Sequence, residues 1–325
     1  MIPKSGLLAA AIAALMAAGS AAVAQGAYPN QPVKVIVPYA AGGPVDAIGR
    51  PVLDKLQRVM GQPFVLDFRA GGATIVGTGA VARADPDGHT LLFTAAQHTI
   101  NPSIHAKLPY DTIEDFAAVS QVAAGPLMLV VHPGVKATNL KELIELAKAS
   151  PRKLNYASAG VGSAFHLAAE KLKSAAGIDM VHVPYKGGAP AANDLVGGHV
   201  DLMIGSSVVA PLMREGRLRL LGVTSARRTQ LLPDAPTLAE QGLPGFEVPT
   251  WFGIFAPAKT PKPIVDRLAH EIDAILKEPE IVAHLRKFVV EPGATTPAAF
   301  DAIVRREVPQ WIKVAKDAKI VAEPQ

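Results

Sequence analysis

Three glycine-rich segments carry the residues best suited to chemistry. In the first, Pro38-Tyr39-Ala40-Ala41-Gly42-Gly43-Pro44-Val45-Asp46, a β-branched run gives way to a helical pattern. Gly42 and Gly43 allow a sharp turn, and a helix starting near Pro44 presents free N–H groups and the positive end of its dipole. Such a corner attracts an anion without Lys or Arg, although an ordinary strand-to-helix turn has the same look. Asp46 also reads two ways: as an orienting group for a ligand amine or water, or as a first-turn carboxylate complementing the helix dipole.

The second segment is Tyr156-Ala157-Ser158-Ala159-Gly160-Val161-Gly162-Ser163, with His166 in the first turn of a helix expected over Ala164 to Ala176. Ser158 and Ser163 place hydroxyls beside Gly160 and Gly162. Ser163 and His166 can also be read as a nucleophile and its base, the secreted-hydrolase alternative, but a neighbouring Ser/His pair is more often structural or ligand-binding. The third segment, Pro184-Tyr185-Lys186-Gly187-Gly188-Ala189-Pro190, again follows a strand and precedes a helical stretch. In open α/β sheets ligands bind outside the carboxyl ends of the strands, where all three turns would lie.

Other chemistries find little support. The chain contains no cysteine, which excludes disulfides, thiolate nucleophiles and cysteine-ligated metals. It has neither a P-loop motif nor a G-x-S-x-G elbow. Gly77-Thr78-Gly79-Ala80-Val81-Ala82 resembles a dinucleotide fragment but follows no convincing strand. His270-Glu271 lacks a second histidine at zinc-protease spacing, and the nine histidines are scattered. Nothing calls for a cofactor or a metal. The formal charge is +4, with Lys and Arg interleaved among Asp and Glu, so no nucleic-acid footprint stands out.

The elements that must position these turns are legible in outline. With 325 residues, 49% hydrophobic and 18% charged, the chain is too apolar for disorder and long enough for two domains. Strands are expected at Val33–Val37, Phe64–Phe68, Thr90–Thr94, Leu127–His132, Leu154–Ala157, Met180–Val183, Val200–Ile204, Leu218–Thr224 and Phe252–Ala256. Helical spacing of Val45, Ile48, Val52, Leu56 and Val59 follows the first strand, and this alternation suits βαβ units on parallel sheets. Pro51 is expected to kink or shorten that first helix. Asn139 and Glu142 form a capping-box pair, and Thr296-Pro297 a helix start. Lys4, the apolar run Leu7–Ala18 and Ala22-Val23-Ala24 before Gln25 read as a cleaved signal peptide, the run being short of the roughly 20 residues that span a bilayer.

At this point the sequence closely resembles the extracytoplasmic solute receptors of tripartite tricarboxylate transporters, the Bug or TctC-like family. The resemblance rests on Tyr28-Pro29 with Val35-Ile36-Val37-Pro38, Ala41-Gly42-Gly43-Pro44 with Asp46, and Ala84-Asp85-Pro86-Asp87-Gly88. It continues through Leu108-Pro109-Tyr110-Asp111, Leu154-Asn155-Tyr156-Ala157-Ser158-Ala159-Gly160 and Val181-His182-Val183-Pro184-Tyr185-Lys186-Gly187. Pro233-Asp234-Ala235-Pro236-Thr237 and Trp251-Phe252-Gly253 complete a set that spans essentially the whole mature chain.

The resemblance implies a type II periplasmic-binding fold: two α/β domains joined by a two-crossing hinge, with a ligand cleft between them. The division it implies is a signal peptide at 1–24, a first domain at 25–127 plus 251–325, and a second at 128–250. The crossings would fall near Pro126–Val130 and Val248–Trp251. The implied ligand is a small carboxylate, passed to integral membrane subunits of the transporter from the periplasm. Tyr39, Ala40, Gly42, Gly43 and Asp46 would contact it from one domain, and Ser158, Gly160, Gly162, Ser163 and His166 from the other. Tyr185 and Gly187 would help close the cleft. Thr94, with Gln97 and His98 in the stretch Ala95–His98 facing the ligand's distal end, and Ser206 complete the expected contacts.

Two departures lower polarity where an amine could be recognised. Ile75 stands where relatives usually carry a polar residue, and Gly205-Ser206 stands where many carry an acidic or amide pair. An unpaired buried ammonium is costly, so the ligand expected is a dicarboxylate or aromatic carboxylate rather than an amino acid. A sensor docking on a membrane kinase is the remaining alternative.

Overall fold

The computed structural model describes residues 28–293 and 296–320, so the expected signal peptide lies outside the described residues. The first of two sheets contains β1 (Val33–Val37), β2 (Phe64–Phe68), β3 (Thr90–Ala95), β4 (Phe116–Pro126), β10 (Pro249–Pro257) and β11 (Glu291–Pro292), in the order β11-β4-β10-β3-β1-β2. β1 runs parallel to both neighbours, with Val35 opposite Leu66 on one side and Leu91 on the other. β10 runs antiparallel to β3 and β4. The second sheet contains β5 (Met128–Val131), β6 (Asn155–Ser158), β7 (Val181–Pro184), β8 (Leu202–Gly205) and β9 (Arg219–Val223), in the order β7-β6-β8-β5-β9. Here β6 is parallel to β7 and β8, and β5 is antiparallel to β8 and β9.

Helices cover the sheets: α1 (Pro44–Met60), α2 (Ile75–Ala82), α3 (Gln97–Ile104), α4 (Leu140–Ala149), α5 (Ala164–Ala176), α6 (Gly188–Val196), α7 (Ala210–Arg214), α8 (Lys262–Leu276), α9 (Pro279–Arg286) and α10 (Pro297–Asp317). Strand alternation decides which face each residue enters. Val33, Val35 and Val37 pack with Ile48 and Leu56 of α1 and Leu268 of α8, while Ile36 points the other way, toward Leu92, Phe255 and Phe300. In β5, Leu129 and Val131 join the cluster of α4 and α5, and Met128 and Val130 that of α6. Burial on both faces explains the unbroken apolar runs at these strands.

Pro51 neither ends nor shortens α1, which runs on to Met60. Proline at 51 frees the Ala47 carbonyl four residues back, and His284 Nε2 donates to that carbonyl at 2.8 Å. A tertiary bond thus replaces the missing helical one. Asn139 caps α4 as expected: its Oδ1 accepts from Glu142 N at 2.9 Å, while Glu142 Oε2 accepts from Thr138 N at 2.7 Å.

The chain leaves the first sheet at Pro126 and enters the second at Met128, passing through Leu127; it returns through Val248 into β10. Packing does not follow this division everywhere. Ile100 and Ile104 of α3, and Trp311 and Ala315 of α10, join the apolar cluster of β5, α4 and α5 on the second sheet. Val289, between α9 and β11, is a further point of contact, its side chain joining the apolar cluster of the second sheet. It is buried with a left-handed φ of 57°, a conformation that costs a β-branched residue of order 1–3 kcal/mol. Burying a valine side chain contributes roughly 1.5–3 kcal/mol, so the two terms nearly balance.

Candidate functional site

The turn after β1 is built as its glycines suggest. Gly42 has φ 77° and Gly43 is the extended residue before α1, with no side chain capping the helix start. Pro44 opens the helix, so its first amides point out of the turn. Ala40 lies exposed within this turn.

Asp46 requires a correction. It is buried, its Oδ2 accepts from Gly42 N at 2.8 Å, and its Oδ1 pairs with Arg50 Nη2 at 2.7 Å. The carboxylate therefore shapes the turn from inside and is not spare for a ligand; facing another carboxylate it would also repel.

Tyr39 and Thr94 stand at the carboxyl ends of adjacent strands. The phenol lies near Thr94 Oγ1 and the Ala95 backbone, and burial pushes it up to about 12, with these neighbours pulling down. Neither hydroxyl has a protein partner at full hydrogen-bond geometry. Buried hydroxyls left so cost about 1–3 kcal/mol each, which makes them natural contacts for a ligand.

Gln97 and His98 part company. Gln97 Nε2 donates to Asn101 Oδ1 at 2.9 Å and to the Gly162 carbonyl at 3.2 Å, joining α3 to the turn after β6. His98 is fully buried among Tyr110, Phe116 and Phe255, with ring centroids 4.8 Å apart for Phe255. Burial lowers its pKa to about 4, so the ring is neutral. The expectation that His98 meets the ligand is thus corrected: successive helical residues lie about 100° apart, and His98 points into the core.

The turn after β6 is internally satisfied. Ser158 is fully buried; its Oγ lies 2.6 Å from His182 Nε2, accepts from Gly160 N at 3.1 Å and reaches the Gly160 carbonyl at 3.1 Å. Its hydroxyl is consumed by the loop, which corrects its assignment as a ligand contact. Ser163 Oγ accepts from His166 N at 3.3 Å and so caps α5. His166 Nδ1 accepts from Gly162 N at 3.1 Å, which puts the neutral ring's proton on Nε2. Ser163 and His166 therefore meet through a backbone amide, and the nucleophile–base reading fails on geometry. His166 and His182 stack at 3.9 Å with 8° between planes, and Tyr156 stacks on His182 at 4.9 Å. Burial is the main cause lowering both imidazoles, His182 to about 4.

The third turn adjoins the second. Tyr185 N donates to the Ser158 carbonyl at 3.1 Å, and Gly160, with φ 125°, packs under the Tyr185 carbonyl. Tyr185 OH donates to Asp194 Oδ2 at 2.7 Å, anchoring the turn to α6. Gly187, φ 122°, precedes α6 without a side-chain cap. Ser206, half-buried, begins the turn from β8 to α7, where Val209 N donates to its carbonyl at 3.1 Å.

Several relevant residues escaped the sequence reading. Ser207 Oγ and Thr78 Oγ1 are buried without full partners. Asn101 Nδ2 donates to the Ala73 carbonyl at 2.9 Å and to Thr74 Oγ1 at 3.0 Å, pinning the rim turn Gly72–Thr74. Ala73 and Thr74 both hold left-handed backbone there, with φ 50° and 79°. Ile75 packs against the apolar cluster of Tyr110 and Phe116. Thr78 and Ile75 had entered the sequence reading in other roles, within the dinucleotide-like fragment and as a departure from the relatives' pattern, whereas the stacking of His182 follows from its place opposite Tyr156 in the strand register.

A groove of about 520 Å³ lies elsewhere, between α5 and α10, lined by Glu170, Lys171, Glu247 and Arg306 among others; none of the expected contacts lines it. Among the described residues no three or more His, Asp or Glu gather to hold a metal, and no helix is long and apolar enough to cross a membrane.

The family model described as "Tripartite tricarboxylate transporter family receptor" matches residues 48–320. A UPF0065 protein from the tcbD-tcbE intergenic region of a Pseudomonas species is 38% identical over 299 residues, covering 91% of this chain and 89% of its own. Protein BugT of Bordetella pertussis is 35% identical over 303 residues, covering 92% of each. Among solved structures, an R. palustris protein with adipate matches with TM-score 0.83 and 34% identity, over 91% of this chain and 100% of that one. MatC of Rhodopseudomonas palustris with bound malate matches with TM-score 0.78 and 31% identity, over 88% and 99%. With two α/β sheets linked by paired crossings, these likenesses show the type II periplasmic-binding fold.

Proposed function

The chain belongs to the tripartite tricarboxylate transporter receptor family of Bug or TctC type, and we propose that it captures a small dicarboxylate between two lobes in the periplasm and delivers it to the membrane subunits of such a transporter. The family consists of solute receptors, and the mechanism proposed is capture without bond making or breaking. The lobes are taken as residues 25–127 plus 251–325 and residues 128–250, the division that the membership of the two sheets supports.

One observation carries the reading. In the turn after β1, an uncapped helix start at Gly43 lies in the same corner as the buried Tyr39 and Thr94 hydroxyls, which lack full partners. Amides and hydroxyls of that kind donate to a carboxylate, replacing its water shell at a helix positive end. Across the cleft, the O–H of Ser163, whose oxygen accepts from His166 N, and the Nε2–H of His166, whose Nδ1 accepts from Gly162 N, supply the opposing donors. The two relatives' ligands, adipate and malate, each carry two carboxylates, which favours a dicarboxylate.

Calorimetric titration with adipate, malate, benzoate and aspartate tests it. At least one dicarboxylate without an amine, adipate or malate, binds more tightly than the amino dicarboxylate aspartate, and its binding fades as pH drops below the ligand's own pKa values. Absence of heat from every carboxylate up to millimolar concentration contradicts the reading.

A further inference from the structure

Two neighbouring valines enter the cores of different lobes. Val290 packs in the cluster of β1, α1 and α8, while Val289 packs with Met128, Val209 and Ala210 of the second sheet and its helices. Val289 ends α9 with left-handed backbone, φ 57°, its N–H donating to the Arg286 carbonyl at 3.2 Å and Val290 N to the Leu285 carbonyl at 3.4 Å, so the helix end itself fixes the direction in which each side chain leaves. The neighbourhood is fitted to this reach. A Cβ on Gly125 of β4 would lie 2.5 Å from the Val289 carbonyl oxygen, so only glycine leaves room there. Arg214 of α7 donates to the Lys287 carbonyl at 3.3 Å, a second bond from the other lobe to the same segment.

From these contacts we infer that Val289 is a positioning residue for ligand capture, a latch that holds the lobes in the apposition where Gln97 meets Gly162. Its chemistry suits a releasable contact. Apolar burial holds the side chain in the opposite lobe, while the backbone that carries it stays bonded to the end of α9 in its own lobe. Opening of the lobes withdraws the side chain from the second lobe's core; closure reinserts it. The ligand then needs to supply only the remaining difference between the open and closed states. The inference rests on the capture reading above, but the latch itself can be measured without any ligand.

The chain has no native cysteine, so Val65→Cys and Lys141→Cys, one exposed position on each lobe, accept a unique pair of spin labels. Distances between the labels are read by pulsed electron resonance, ligand-free and with adipate or malate. Val289→Gly and Val289→Ala are expected to shift the ligand-free distribution toward longer separations. They also weaken dicarboxylate binding by about fivefold to tenfold, mainly through faster dissociation. Val289→Ile retains the wild-type distribution and affinity. A purely structural role would lower the melting temperature and leave the distances unmoved. If Val289→Gly does not fold, Val289→Ala decides alone. Wild-type distances and affinity in the variants overturn the latch. A wild-type protein whose distances ignore both dicarboxylates counts against capture, while the ligand-free distributions still decide the latch.

Discussion

Thr224 donates its buried hydroxyl to the Val248 carbonyl at 2.6 Å, and Val248 N returns a bond to the Thr224 carbonyl at 2.9 Å. The same Oγ1 accepts from Leu127 N at 2.9 Å. Leu127 and Val248 are the residues through which the chain passes between the sheets. One fully buried side chain at the end of β9 therefore ties both crossings together.

Thr224→Val keeps the shape and removes the hydroxyl, leaving Leu127 N and the Val248 carbonyl without that partner. Stability should fall by about 2–4 kcal/mol, read by denaturant unfolding. Thr224→Ser, which retains the hydroxyl, should lose clearly less. Equal losses in the two variants would show that packing of the methyl group, and not the clasp, holds the crossings together.

Gly162 meets α3 at van der Waals limits. Its φ of 73° already favours glycine, and an added Cβ would lie 2.4 Å from Ile104 Cδ1. Gly162→Ala should weaken carboxylate binding at least tenfold, through a backbone cost of roughly 1–2 kcal/mol and the clash together. Adding Ile104→Val, which deletes Cδ1, should restore the steric share alone. Titration of the single and double variants separates the two; no recovery in the double variant would rule out the contact with Ile104 as a cause.

His98 supplies an acid-sensitive element. Burial lowers its pKa from the ordinary 6.5 to about 4, so on acidification the unfolded chain takes the proton first. The stability it contributes is present above pH 6.5 and is lost as pH falls toward 4, by roughly 3 kcal/mol for a shift of that size. His98→Phe, placed among Tyr110, Phe116 and Phe255, should flatten that part of the stability–pH curve and leave ligand affinity unchanged. A large loss of affinity would return His98 to the cleft.

Glu307 acts in the opposite sense. It is buried on α10, and its Oε2 accepts from Thr99 Oγ1 and Trp251 Nε1, both at 2.9 Å. Burial raises its pKa above the usual 4.5 despite those donors. The folded state therefore holds the proton more tightly, and this contribution, complete below pH 4.5, is lost as pH rises through the raised value. Glu307→Gln should remove that slope from unfolding curves collected at successive pH values; an unchanged slope would assign it to other groups.

The strands around the site were legible because β1, β3, β6 and β8 are short apolar runs bounded by turn residues. β4 was not read as a strand. Its Ala117, Ala118, Ala123 and Ala124, with Ser120 and Gln121, show neither alternation nor β-branched enrichment, since β10 and β11 flank it and tertiary pairing rather than propensity holds it. The glycine corners were found from sequence because positive φ leaves a residue signature. What fills them was not: Ser158, Asp46 and Tyr185 look like ligand contacts in sequence, yet their polar atoms close their own turns. The start of α3 hid the separation of Gln97 from His98, as no side-chain cap marks it. The bonds of Thr224 to Leu127 join residues 97 apart in sequence, beyond any local pattern.

The most direct test of the central claim is a crystal structure of the protein with the tightest-binding dicarboxylate of the calorimetric panel. The account predicts one carboxylate within 2.7–3.2 Å of amides in the turn after β1, near the Tyr39 and Thr94 hydroxyls, with the Gly160–Ser163 turn closing from the other lobe. A dicarboxylate seated instead in the groove between α5 and α10, with the glycine corners untouched, would contradict it.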